Sequence, residues 1–142
     1  MILLDGISLL QEQILNHLQL ALAGALPQSS VRPKLDMSDI PDDGRCVIAT
    51  LAPSGPYEGL KDTAPLQTAK LEIVILTHLM EDVTGSECLH LSAIVQHALC
   101  GFLPACKVAE CIYLGIQDTD GPNVLDSFRA ITIDYKLIIE FA

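Results

Sequence analysis

Basic residues are scarce in this chain of 142 residues: eight Lys and Arg stand against eighteen Asp and Glu, a net charge of −10, with no basic block or arm. Affinity for nucleic acid comes mainly from Lys and Arg displacing counterions from phosphates. Specific binding to DNA or RNA is therefore not expected. Long apolar runs are missing as well, since no stretch approaches the roughly 18 uninterrupted apolar residues that a helix needs to cross a bilayer. The opening Met1-Ile-Leu-Leu-Asp5 has no basic segment and meets an acid at once, which speaks against a secretory signal and for a cytoplasmic chain. Cys-x-x-Cys pairs are absent, and the five cysteines, an odd number, read as reduced side chains that behave like small hydrophobes.

The short signatures of catalysis are also absent. There is no Gly-x-Ser-x-Gly elbow, no His-Glu-x-x-His and no glycine-rich phosphate loop between a strand and a helix. A nucleophile with a His and an orienting carboxylate is available only by count. Cys88, His90, His97 and Cys100 suggest zinc, but four tetrahedral ligands cannot converge from one straight helix without a second element. The ordinary reading is a solvated helix face with two unremarkable histidines. Asp42-Asp43 and Glu81-Asp82 flank turns, where solvated carboxylates are the default. Asp118, Asp120 and Asn123 resemble a calcium loop only in part, because the glycine is misplaced and the twelfth-position Glu is missing. No catalytic residue, metal or cofactor is expected.

Half of the residues are apolar, enough for one core in a single domain spanning residues 1–142. A mean hydropathy of +0.41 with 18% charged residues is high for a small monomer, which has too much surface to hide so many apolar side chains. Oligomerisation is the expected outlet. The cleanest periodic signal is Ala130–Phe141: Ile131, Ile133, Tyr135, Leu137, Ile139 and Phe141 alternate with Thr132, Asp134, Lys136 and Glu140, and only Ile138 is out of place. This is a strand with one buried face, around which the upstream elements pack.

From Leu3 to Ala25 the apolar residues recur at helical spacing, with Gly24 and Pro27 marking the end. Leu9 and Leu20 fall on the outer face, eleven residues apart, either as scattered exposed leucines or as a contact with another subunit. A short strand is possible around Val31–Leu35. Arg45–Ala52 predicts a central strand carrying Val47, Ala49 and Leu51 on one face, and Pro53–Pro65 a long exposed connection. Gln67–Met80 completes a hairpin, with Ala69, Leu71, Ile73, Ile75 and Leu79 opposite Lys70, Glu72 and His78. Thr84-Gly-Ser-Glu87 predicts a capping box for a second helix, whose buried stripe is Cys88, Leu91, Ile94, Val95, Ala98, Leu99 and Phe102, ended by Pro104. Val108–Ile116 is a strand with Ile112, Leu114 and Ile116 on one face, and the last strand starts near Val124. The order helix, hairpin, helix, hairpin predicts an α+β fold: about four mainly antiparallel strands with both helices on one sheet face.

In size, acidity, the N-terminal helix Ile7–Leu26, the hairpin Arg45–Met80 with its long tip, the helix Cys88–Leu103 and the closing strand Ile131–Phe141, the chain resembles the tail-terminator and tail-completion proteins of tailed bacteriophages, including minor tail proteins of Mu-like prophages. The resemblance spans nearly the whole length and rests on no diagnostic motif. It implies a virion protein of the tail or neck, assembled in the host cytoplasm. Its copies would form a ring, typically hexameric, that caps the tail tube and meets the head-side connector. DNA would pass the acidic lumen without sticking. Tyr57, Leu60 and Lys61 on the loop tip, with Leu9 and Leu20, are then the candidate assembly contacts, against the plainer reading of a mobile surface segment. The alternatives are another neck layer (head–tail connector or stopper), a small cytoplasmic enzyme or ligand-binding domain, and a two-fold bacterial adaptor.

Overall fold

The computed structural model of the chain describes residues 2–33, 45–56, 66–78, 82, 84–100, 102, 108–119 and 128–140. Its elements are α1 (Ile2–Ala21), a 3-10 turn at Gln28–Ser30, β1 (Val31–Arg32), β2 (Cys46–Pro56), β3 (Leu66–His78), α2 (Ser86–Leu99), β4 (Val108–Thr119) and β5 (Phe128–Glu140). The fold is α+β, and the strands form one sheet in the order β1-β2-β3-β5-β4.

The four long strands are antiparallel to their neighbours, and β1 joins β2 in parallel through Val31↔Val47 and Arg32↔Ile48. The sheet is thus five-stranded and mixed: the four expected strands and the short strand foreseen near Val31, which joins in parallel. β5 lies between β3 and β4, so β3, α2 and β4 form a crossover that skips one place, and β5 returns into the gap. Parallel strands need such a crossover, and α2 supplies it.

Alternation sends Val47, Ala49 and Leu51 of β2, Ala69, Leu71, Ile73 and Ile75 of β3, and the predicted residues Ile131 to Ile139 of β5 to one face. Both helices cover that face. The i, i+4 row Leu10, Ile14, Leu18, Leu22 and Leu26 and the α2 residues Cys88, Leu91, Val95 and Leu99 are all buried in the same core. The helix ends at Ala21, earlier than its apolar stripe suggests, but the bonds Leu22 N to Leu18 O (2.9 Å) and Leu26 N to Leu22 O (2.7 Å) continue the turn and keep Leu22 and Leu26 inside.

Three local expectations are corrected. First, β2 continues through Pro53 to Pro56, with Pro53↔Ala69, Gly55↔Thr68 and Pro56↔Gln67 across a register shift, so the expected connection does not begin at Pro53; its remainder, 57–65, lies outside the described residues. The Leu51 amide points away from β3, to Gln11 Oε1 at 3.2 Å, and amide direction alternates along a strand. Pro53, two residues on, therefore lacks its N–H on the outer edge, where among the described residues β1 no longer pairs and no ladder bond is lost.

Second, no Thr84/Glu87 capping box forms. The buried Asp82 accepts from the amides of Glu87 (3.1 Å, part-buried) and Cys88 (3.0 Å) and from Thr77 Oγ1 (2.9 Å). Glu87 Oε1 instead accepts from Arg45 at 2.6 Å, and Thr84 Oγ1 reaches only Ser86. Asp82 is accordingly a buried cap, not a solvated turn carboxylate. Gly85 precedes the helix at φ 77°, a left-handed conformation that glycine adopts without a Cβ clash.

Third, β4 runs to Thr119 and carries two register shifts, between Val108 and Glu110 and between Tyr113 and Gly115. Ile112 then stands opposite Lys136 and Ile116 opposite Ile133, so the single alternation expected for Ile112, Leu114 and Ile116 is broken. The expected start of the last strand near Val124 and the helix stop at Pro104 lie outside the described residues; β5 is seen from Phe128.

Candidate functional site

The helix layer has an outer surface as well as a core face. Leu9 (58% exposed) and Leu20 (78%) stand on it as the helical spacing predicts, and Leu89 (56%) is exposed on α2. These are the large apolar side chains most open to water among the described residues. Leu89 is the member that the sequence reading passes over; the wheel that buries Cys88 places its neighbour Leu89 outside the stripe, and that was the available signal. Beside Leu20 lies an open groove of about 410 Å³ lined by Asn16, Gln19, Leu20, Ala23, Leu26 and Pro27.

α1 is held firmly beneath this surface. His17 donates its Nε2–H to the Ala98 carbonyl at 2.7 Å and stacks on Phe102 with ring centroids 3.8 Å apart and planes 6° apart. A carbonyl only accepts, so the proton sits on Nε2. This bond takes up a carbonyl in the last turn of α2, one of those that the helix itself leaves without a partner. Gln19 Nε2 donates to the Val31 carbonyl at 3.2 Å and ties the same helix to β1.

The opposite sheet face is charged. Lys70 stands across from Lys136 and Glu72 across from Asp134, like against like, while the diagonal brings Lys70 Nζ to Asp134 Oδ1 at 3.8 Å and to Glu72 Oε2 at 3.7 Å along its own strand. With the Lys70 and Glu72 side chains about half exposed, each such pair contributes at most about 1 kcal/mol. Nearer the β2 start, Cys46, Ile48, Leu76 and Ala130 make a second small buried cluster on this face.

The candidate zinc residues do not meet. Cys88 is buried with Sγ 3.6 Å from the Ile75 carbonyl, whereas His90, His97 and Cys100 are exposed. Among the described residues, no group of three or more His, Cys, Asp or Glu could hold a metal ion. Asp118 lies in β4, while Asp120, Asn123, Asp42, Asp43 and Glu81 fall outside the described residues, as do the loop-tip residues Tyr57, Leu60 and Lys61. No helix among the described residues is long and apolar enough to cross a membrane.

No protein family profile and no curated protein match the chain. Among solved structures, it is similar to a chain of the "Virion of native gene transfer agent (GTA) particle", with 11% identity, coverage of 87% of this chain and 84% of that chain, and a TM-score of 0.39. That score is too low to establish a shared fold.

Proposed function

We propose that this chain is a structural virion protein of the tailed-phage type, a tail terminator whose copies form a ring that caps the tail tube and joins it to the head-side connector. The observation that carries this reading is the exposure of Leu9 and Leu20 on a well-anchored helix of a chain that otherwise buries its apolar stripe. Exposed apolar side chains that form a contiguous patch mark an interaction surface, and on this reading Leu9 and Leu20 belong to one. A heterologous contact repeated around an axis closes into a ring. The net charge of −10 suits a lumen along which DNA slides without being gripped. β4, which among the described residues pairs on one side only, offers a strand edge to a neighbour. Tyr57, Leu60 and Lys61 in the 57–65 loop extend the contact to the tube or to the next ring. The chemistry asked of the protein is binding and shape, with no catalytic step.

The test is the mass of the purified protein by light scattering together with negative-stain images, alone and after mixing with tail tubes. A six-fold ring on the tube end is expected. A protein that stays monomeric and leaves tubes bare overturns the proposal, and one that binds connector complexes in place of tubes belongs to another neck layer. Deleting the tip of the 57–65 loop is expected to abolish tail joining; unchanged joining would remove the loop from the interface.

A further inference from the structure

Charge is distributed unevenly over this molecule. Glu12 and Glu87 are the only Asp, Glu, Lys or Arg residues from Ser8 to Pro27 and from Thr84 to Cys100, in a chain with eighteen acidic and eight basic residues. Glu87 is neutralised by Arg45 at 2.6 Å. Among the residues whose side chains the structure describes, the two helices are thus poor in charge, and Leu9, Leu20 and Leu89 are exposed on them; Asp5, in the first turn of α1, lies outside that set. The far face of the sheet carries Lys70, Glu72, Asp134 and Lys136.

Two copies with a net charge of −10 repel one another, and the repulsion is least where surfaces without charge meet. Interface cores are depleted of charged residues for the same reason. A basic partner would be drawn to the acidic surfaces elsewhere on the chain. A helix lying on a membrane uses Lys and Arg on its polar face, and neither α1 from Ser8 nor α2 has one. The same layer also supplies both halves of a contact. The groove beside Leu20, lined in part by Ala23, Leu26 and Pro27, is an apolar socket, and Leu9, about 16 Å away along α1 at the rise of an α-helix, is an exposed apolar side chain of the same helix that a second copy can offer to it.

We propose that copies of this chain associate through the outer surface of the helix layer, with Leu9 of one copy seated in the groove beside Leu20 of the next and Leu89 extending the contact onto α2. The second copy as partner and the place of Leu9 and Leu20 in the contact rest on the ring reading; the seating of Leu9 in the groove and the part played by Leu89 are the new elements. The sheet face stays outside this interface.

The experiment compares the full chain with Leu9→Asp, Leu20→Asp, Leu89→Asp and, on the opposite face, Lys70→Glu. The measurements are sedimentation and light scattering over a concentration series, alone and with tail tubes. All four positions are well exposed, so circular dichroism is expected to show an unchanged fold. Each leucine variant is expected to raise the concentration for half-assembly at least about tenfold, as the loss of a central interface side chain does, and Lys70→Glu, which adds more negative charge than any of them but on the far face, to raise it by much less. If the wild type assembles and the leucine variants assemble equally well, the surface is wrong while the tail-terminator reading stands or falls on tube binding. If Leu20→Asp dissociates an assembly that never binds tubes, the surface holds and the terminator reading fails. A wild type that is monomeric both alone and on tubes overturns both.

Discussion

Asp82 holds the start of α2 from outside the helix. Its carboxylate satisfies the amides of Glu87 and Cys88 and the hydroxyl of Thr77, so one buried side chain locks the end of β3 to the crossover helix. Asp82→Ala removes a cap and strands buried donors, and is expected to cost about 2–3 kcal/mol in urea unfolding. Thr84→Ala, which disturbs only a surface bond to Ser86, is expected to cost less than about 0.5 kcal/mol. Equal losses would mean that the helix is capped elsewhere. His17 offers a graded case. His17→Phe keeps the stack on Phe102 and loses the bond to Ala98, for about 1 kcal/mol, and His17→Ala loses both, for about 2 kcal/mol.

At the scale of elements, β2 shows how an edge is closed by unlike means. β1 covers only Val47 and Ile48, Gln11 takes the amide of Leu51, and Pro53 has no amide to leave open. Gln11→Ala is expected to speed hydrogen exchange at the Leu51 amide about tenfold, the worth of one hydrogen bond, without changing exchange in the central β3 and β5 ladder. A rise in exchange throughout β3 would mean that Gln11 supports the sheet as a whole. Packing between layers is a different quantity. Ile133→Ala, in the core under the helices, is expected to cost about 2–5 kcal/mol, whereas Lys136→Ala on the solvent side of the same strand should stay within about 0.5 kcal/mol.

For the whole molecule, the decisive feature is the separation of a charge-poor helix layer from a charged sheet face on a strongly acidic chain. On the proposal, self-association through the first surface would be opposed by the charge carried elsewhere. Salt shortens the Debye length from about 30 Å at 0.01 M to about 10 Å at 0.1 M, and so removes much of that opposition. Assembly measured by sedimentation is therefore expected to strengthen as salt rises over that range. Weakening would show that ion pairs, not apolar contacts, hold the copies together.

The periodicities were legible from the residues alone. Alternation in β2, β3 and β5 and the i, i+4 row of α1 follow from backbone geometry, which acts over a few residues and assigns each side chain to a face wherever the element packs. The outward position of Leu9 and Leu20 was legible for the same reason. What the tertiary structure decided depends on residues far apart in the chain. The return of β5 between β3 and β4, the two register shifts in β4, the bond from His17 to Ala98 across 81 positions and the capture of the α2 amides by Asp82 each need a partner that no local pattern names. The Thr84 to Glu87 spacing satisfied the local rule for a capping box, yet Arg45, 42 positions away from Glu87, claimed the carboxylate that the box required. A hydrogen bond or ion pair goes to the group that the packed chain brings within reach, and packing is set by the whole sheet.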